Sequence, residues 1–274
     1  MMASALPALT PVENSLYLTL CCRALDNRSA DPVLGDAVAD EIVRTLDYDY
    51  EQLNTNTDLV LNVALRAKRI DEVASDFVAR HPDAVGLDLG AGFDTRSARI
   101  GLPPTVDWFD VDLPEVAAAR EAAVPDRAKA HTIGADVTEQ DWLDALPTDR
   151  PVVITADGLM GFLARDELMS LLDRLIDHFP SGELVFNGYT RFTIWVARHA
   201  PGTRSVAGQV KFPGMDDPRE PERWNPRLEL VREMLISRQP EIARFPPVLR
   251  AYYRMQSHST WWSRKGTLIL HYRF

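Results

Sequence analysis

From residue 84 onward, short apolar runs rich in β-branched residues alternate with stretches whose apolar positions recur at helical spacing. Four runs, Ala84 to Leu89, Val106 to Val111, Ala130 to Gly134 and Pro151 to Ala156, read as strands. A fifth, Glu183 to Phe186, follows the amphipathic segment Asp166 to Phe179, where Leu168, Leu171, Leu172, Leu175, Ile176 and Phe179 share one helix face. Strands alternating with helices predict a doubly wound α/β fold, its mostly parallel sheet covered on both faces. Ligands in such sheets bind beyond the carboxyl ends of the strands, near the point where strand order reverses.

The pattern changes on either side of this core, and residues 1–274 read as one domain in four parts. Residues 12–80 predict an N-terminal helical cap, and 84–189 the cofactor-binding core. Residues 190–246, rich in Pro, Arg and Trp, read as an inserted lid with a helix over Pro226 to Ser237. The last part, 247–274, predicts two strands, Val248 to Met255 and Thr267 to Phe274, forming an antiparallel edge that brings the sheet to seven strands.

Composition narrows the partners. Forty acidic against thirty basic residues give a formal charge of −10, which repels phosphate backbones and anionic lipid. Nucleic acid and membrane are therefore not expected partners; a small molecule is. No apolar run approaches the ~18 residues that cross a bilayer. Residues 1–11 lack a basic segment followed by an apolar one, so no signal peptide is expected and a cytoplasmic location is. Cys21 and Cys22 are adjacent in a predicted helix and suit neither a disulfide framework nor a metal site, so no metal is expected.

The first strand and its turn, Leu87-Asp88-Leu89-Gly90-Ala91-Gly92-Phe93-Asp94-Thr95-Arg96, carry the chemistry. Gly90 and Gly92 allow a tight turn and close approach of a ligand to the backbone. Thr95 stands where a dinucleotide fingerprint has its third glycine, which argues against a nicotinamide-dependent oxidoreductase. A pyrophosphate gains nothing from Asp88, whereas a cofactor bearing an amino acid offers it an ammonium group. Asp112, Asp136 and Asp157 close the next three strands. Each alone is compatible with a helix N-cap or a loop acid. All four at the ligand rim are accounted for by one adenosine-bearing ligand, Asp112 lying where an acid accepts both ribose hydroxyls. Arg66 falls on the apolar helix face of Leu59, Val63, Ile70, Val73 and Phe77. A guanidinium directed inward needs an anion: one of the aspartates as a structural pair, or the carboxylate of such a cofactor.

The stretch from Leu89 to Arg96, followed by Trp108-Phe109-Asp110-Val111-Asp112-Leu113-Pro114-Glu115-Val116, resembles the leucine carboxyl methyltransferase superfamily, in its bacterial branch of polyketide O-methyltransferases. Arg23-Ala24, Asp31-Pro32, Trp142 and Asp157-Gly158-Leu159 extend the likeness over residues 12–190. The resemblance implies a class I, Rossmann-like methyltransferase using S-adenosyl-L-methionine. It implies cofactor binding by Arg66, Gly90, Asp112, Asp136 with Val137, and Asp157. Where the family has glutamate and glycine after strand four and a tyrosine downstream, this chain has Asp157 and Phe162; the shorter acid is expected to reach the cofactor through water.

Methyl transfer from a sulfonium is an in-line displacement, in which the protein aligns donor and acceptor and excludes water. A carboxylate acceptor is already ionised, while a phenol needs a base nearby. His199 and His258 are candidates for that role, each more readily a surface or structural residue, and no residue is assigned as catalytic. Tyr189, Arg191, Trp195, Arg204, Lys211, Trp224, Tyr252, Tyr253 and Arg254 offer flat apolar faces and positive charge that suit an aromatic carboxylic acid such as a polyketide intermediate. A protein C-terminal carboxyl methyltransferase and a non-catalytic adenosyl-ligand binder are the competing readings.

Overall fold

The apolar runs become strands close to where their pattern ends. In the computed structural model, which describes residues 13–46, 55–125, 128–199 and 208–274, these are Val85–Leu89 (β1), Asp107–Asp112 (β2), Ala130–Gly134 (β3), Val152–Ala156 (β4) and Gly182–Gly188 (β5). Every residue of β1 and β4 is buried, as a strand covered by helices on both faces requires. The seven-stranded sheet has the order β3-β2-β1-β4-β5-β7-β6, with Glu229–Leu235 as β6 and Leu268–Arg273 as β7. Strands β1 to β5 run parallel, β7 is antiparallel to both its neighbours, and strand order reverses between β1 and β4.

The helices are Glu13–Asn27 (α1), Ala37–Thr45 (α2), Thr57–Arg80 (α3), Arg96–Arg99 (α4), Pro114–Ala123 (α5), Arg165–His178 (α6), Arg191–His199 (α7), Glu220–Trp224 (α8), Pro247–Ser257 (α9) and Thr260–Ser263 (α10). Asn56 caps α3 by accepting from the Leu59 N–H at 2.9 Å. The apolar stripe of α3 then covers one face of the sheet, Val73 beside Val185 and Ile269, and Phe77 beside Trp108 and Val153. On the opposite face α6 buries Leu168, Leu171, Leu172 and Leu175 against Leu87, Ile154 and Leu184. Gly86 is needed in mid-strand because a Cβ there would stand 2.0 Å from the Trp108 ring.

Two expected elements are exchanged. The helix expected over Pro226 to Ser237 is the edge strand β6 followed by a short 3-10 turn, and the strand expected over Val248 to Met255 is helix α9. A register shift between Leu230 and Arg232 breaks the two-residue alternation of β6, leaving apolar spacings that imitate a helix. In α9 the buried face carries Tyr253 and Gln256, while Val248, Tyr252 and Met255 are exposed, so burial follows a helical period that hydropathy hides. The partner of β7 is thus supplied by the segment read as lid. Among the described residues no helix is long and apolar enough to cross a membrane. Residues 1–11, on which the leader expectation rests, and Arg204 lie outside the described residues.

Candidate active site

At the carboxyl edge of the sheet, beside the β1/β4 reversal, lies a cavity of ≈ 270 Å³. The turn after β1 forms its floor. Gly90 and Gly92 have φ of +65° and +48°, a left-handed conformation that favours glycine. A Cβ at Gly92 would stand 2.6 Å from Leu16 of α1, and one at Gly90 3.1 Å from Leu159. Both glycines therefore keep the space between the turn and its roof open. Asp112 ends β2 and ties the turn down: Oδ2 accepts from the Gly92 N–H at 2.7 Å and Oδ1 from the Leu113 N–H at 2.8 Å. Asp136 follows β3 and folds its loop by accepting from the Thr138 N–H and hydroxyl. Val137 is buried beside it, with its carbonyl held by Arg174 at 2.8 Å. Asp157 and Gly158 follow β4, and the Gly158 N–H donates to Asn187 at 2.7 Å. Apolar walls come from Leu113, Ala135, Leu159, Phe162 and Leu163.

Asp88, Gly90, Gly92, Asp112, Asp136, Val137 and Asp157 thus share one cavity. Arg66 does not line it but stands behind Asp157. Its Nε lies 2.5 Å from Asp157 Oδ1, yet neither atom has a properly aligned hydrogen bond, so the contact is an ion pair with unused directional capacity. Burial opposes the charge on Arg66, but Asp157 outweighs it and holds the guanidinium pKa above its usual value. Of the structural and functional accounts of Arg66, the observed pairing is the structural one.

Asp88 lines the cavity and is engaged from behind: its Oδ2 lies 2.5 Å from Arg96 Nη1, and its Oδ1 accepts from the Thr155 hydroxyl at 2.8 Å. It belongs to a buried lattice of five aspartates and four arginines behind the turn. Arg96 also meets Asp71 at 2.8 Å and Asp94 at 3.2 Å, Arg99 joins Asp71 to Asp36, Arg23 holds Asp36, and Arg120 holds Asp110. Three consecutive carbonyls of the turn accept from it: Gly92 and Asp94 from Arg120, and Phe93 from Arg23. Burial raises the Asp88 pKa to about 7, Arg96 lowering it and Asp94 and Asp110 adding to the rise. Asp94 behaves oppositely: against burial, Arg96, Arg99, Arg23 and Arg120 hold it far below the usual range. One carboxylate is in surplus, and Asp88, with its raised pKa, is the one that takes up a proton.

Asp88 is legible in the sequence, but its company of Arg96, Arg99, Arg120, Asp36 and Asp71 is not. The available signals were the Asp94-Thr95-Arg96 motif and Arg23, both within the stretch of resemblance. The expected lid contributes less than its composition suggests. Of the named residues that are described, Lys211 alone lines the cavity, its Nζ 3.4 Å from Glu167. Trp224 lies under Arg165, Tyr253 is bound to Asp58 and Asn62, and Trp195 stacks on His199. Neither His199 nor His258 lines the cavity. Among the described residues no three His, Cys, Asp or Glu side chains gather as metal ligands.

The donor set fits an amino-acid nucleoside: a carboxylate at the end of β2, an apolar slot flanked by Val137 and Leu159, and a guanidinium behind Asp157. Fold and site define an S-adenosylmethionine-dependent methyltransferase of the class I, Rossmann-like kind. Residues 17–176 match the leucine carboxyl methyltransferase family, and the chain belongs to that family. It is 39% identical over 240 residues to the tetracenomycin polyketide synthesis O-methyltransferase TcmP of Streptomyces glaucescens, covering 88% of each chain. It is 32% identical over 249 residues to the S-adenosyl-L-methionine-dependent methyltransferase dpfgK of Gibberella zeae, covering 83% of each. Among solved structures, the plantazolicin methyltransferase BamL, in complex with a triazolic desmethylPZN analog and SAH, superposes with a TM-score of 0.52 at 10% identity, over 96% of this chain and 98% of that one. That likeness is one of fold.

Proposed function

We propose that the chain methylates an oxygen of a small-molecule acceptor, specifically the carboxylate of a polyketide-like aromatic acid. The observation that carries this reading is the cavity lining, which offers Lys211 as a cation for an anionic acceptor and among the described residues contains no histidine. A carboxylate acceptor is ionised at neutral pH and needs no base, whereas a phenol does. Tyr189, whose electrostatic neighbours include Arg66 and Asp157, is no substitute, because burial raises its hydroxyl pKa and keeps it protonated. The relative named for tetracenomycin polyketide synthesis supports the acceptor class.

In this reading Asp112 holds the ribose hydroxyls of S-adenosylmethionine, and Asp136 with Val137 flanks the adenine. Gly90 and Gly92 give it access to the backbone, and Arg66, partly released by Asp157, receives its carboxylate. Bound there, the cofactor supplies an electrophilic methyl group on a sulfonium. The chain's own part is to hold the turn rigid through the arginine–aspartate lattice and exclude water with the apolar walls.

The test is methylation of a panel of aromatic acids with methyl-labelled cofactor, followed by mild alkali. A methyl ester releases its label as methanol, whereas a methyl ether keeps it. Alkali-stable label in the product would overturn the carboxylate reading.

A further inference from the structure

The C-terminal region carries a charge opposite to that of the chain as a whole. Residues 238–274 contain seven Lys or Arg and a single acid, Glu241, in a protein of net charge −10. Several of these cations are committed: Arg244 to Asp31, Arg264 to Glu233 and Arg273 to Glu229. Arg238 and Arg254 are not. Together with Ser237, Gln239 and Ser257 they line an open cleft formed by the 3-10 turn after β6, the segment following it, and the end of α9. Arg238 donates through Nε to the Ser257 carbonyl at 3.3 Å and through Nη2 to the Thr260 hydroxyl at 2.9 Å, which fixes its direction and leaves Nη1 unengaged. The Arg254 carbonyl accepts from the Ser257 hydroxyl at 2.7 Å, while its guanidinium makes no hydrogen bond or ion pair with the described residues. A separate observation points to a ligand: Ser237 is 95% buried, lines this cleft, and its hydroxyl has no hydrogen-bond partner. A buried hydroxyl left unpaired is costly unless something polar reaches it.

We propose that this cleft binds a phosphate group, gripped by Arg238 and Arg254 and hydrogen-bonded by the Ser237 hydroxyl. Two guanidiniums match the several acceptor oxygens of a phosphate group better than the two of a carboxylate. The site is separate from the cavity above the glycine turn and shares no lining residue with it. Two sources present this chemistry. A soluble phosphate ester would use the cleft alone. An anionic lipid headgroup would also use Trp261, 71% exposed, with Trp262 and Met255 nearby on α10 and α9.

The test is calorimetric titration of the full chain with inorganic phosphate at constant ionic strength, and sedimentation with phosphatidylglycerol or phosphatidylcholine vesicles. The variants are R238Q/R254Q and S237A, with S-adenosylhomocysteine affinity as the control for folding. Saturable phosphate binding, weakened at least tenfold in the double variant and severalfold in S237A while the control is unchanged, supports the site. Phosphatidylglycerol binding that depends on the same residues identifies a lipid source; phosphate binding without it identifies a soluble one. If the double variant fails the control, R254Q alone and S237A decide. Absence of saturable binding to both probes, or binding that these substitutions leave unchanged, overturns the proposal.

Discussion

Replacing Asp88 by asparagine should remove a decline in folding stability that the native chain shows between about pH 4 and pH 7. The reason is the charge count behind the glycine turn, where five carboxylates face four guanidiniums and Asp88 has its pKa raised by burial to about 7, against an ordinary 3.8. Between those values the folded chain binds the proton and the unfolded chain does not. The contribution is therefore fully present below the unfolded value and is lost as pH rises through the folded one. One proton corresponds to a slope of up to about 1.4 kcal/mol per pH unit, or a few kcal/mol across the window. Asp94, held low by four arginines, has the opposite sign, and its stabilisation is lost only as pH falls below the ordinary carboxylate range. Asparagine keeps the shape and the approach to Thr155 but cannot titrate. Urea unfolding of both proteins at fixed ionic strength from pH 4.5 to 8, with linear extrapolation, measures the difference. Native stability relative to D88N should fall steadily toward pH 7 and level off above it. A difference that is the same at every pH would refute the reasoning.

Three further outcomes follow from the site. Asp112→Ala should weaken S-adenosylhomocysteine binding by about 1–3 kcal/mol in calorimetry, and an unchanged Kd would remove Asp112 from the ribose. Arg66→Met should cost about 2–3 kcal/mol of cofactor affinity, because a charge-assisted contact is lost and Asp157 is left buried without its cation; binding equal to the native chain's would leave Arg66 a purely structural residue. Gly86→Ala should destabilise the fold by about 1–3 kcal/mol or more, since its Cβ would overlap the Trp108 ring, and an unaltered urea midpoint would contradict the packing of β1 on β2.

Local patterns of residues placed the five parallel strands, the amphipathic helix α6 and the aspartates that end β2 and β4. Each depends on neighbours within a few positions: runs that want burial on two faces, an apolar stripe at helical spacing, and acids where such runs stop. The turn chemistry of Gly90 and Gly92 was legible for the same reason. The resemblance in the Leu89-to-Arg96 and Trp108-to-Val116 stretches then supplied the family, which periodicity alone does not reach.

The tertiary structure decided whatever depends on residues far apart in the chain. Whether 226–237 or 248–255 joined the sheet could not be settled locally, because a register shift disguised the strand and an exposed apolar stripe disguised the helix; pairing with β7 selected β6. The role of Asp88 turned on Arg96 and on Thr155 from β4, and the lattice beyond them draws in Asp36 and Asp71 from the helical cap. A charge buried by folding takes its partner from whatever the fold brings within hydrogen-bonding distance, and that partner leaves no mark in the spacing of the sequence.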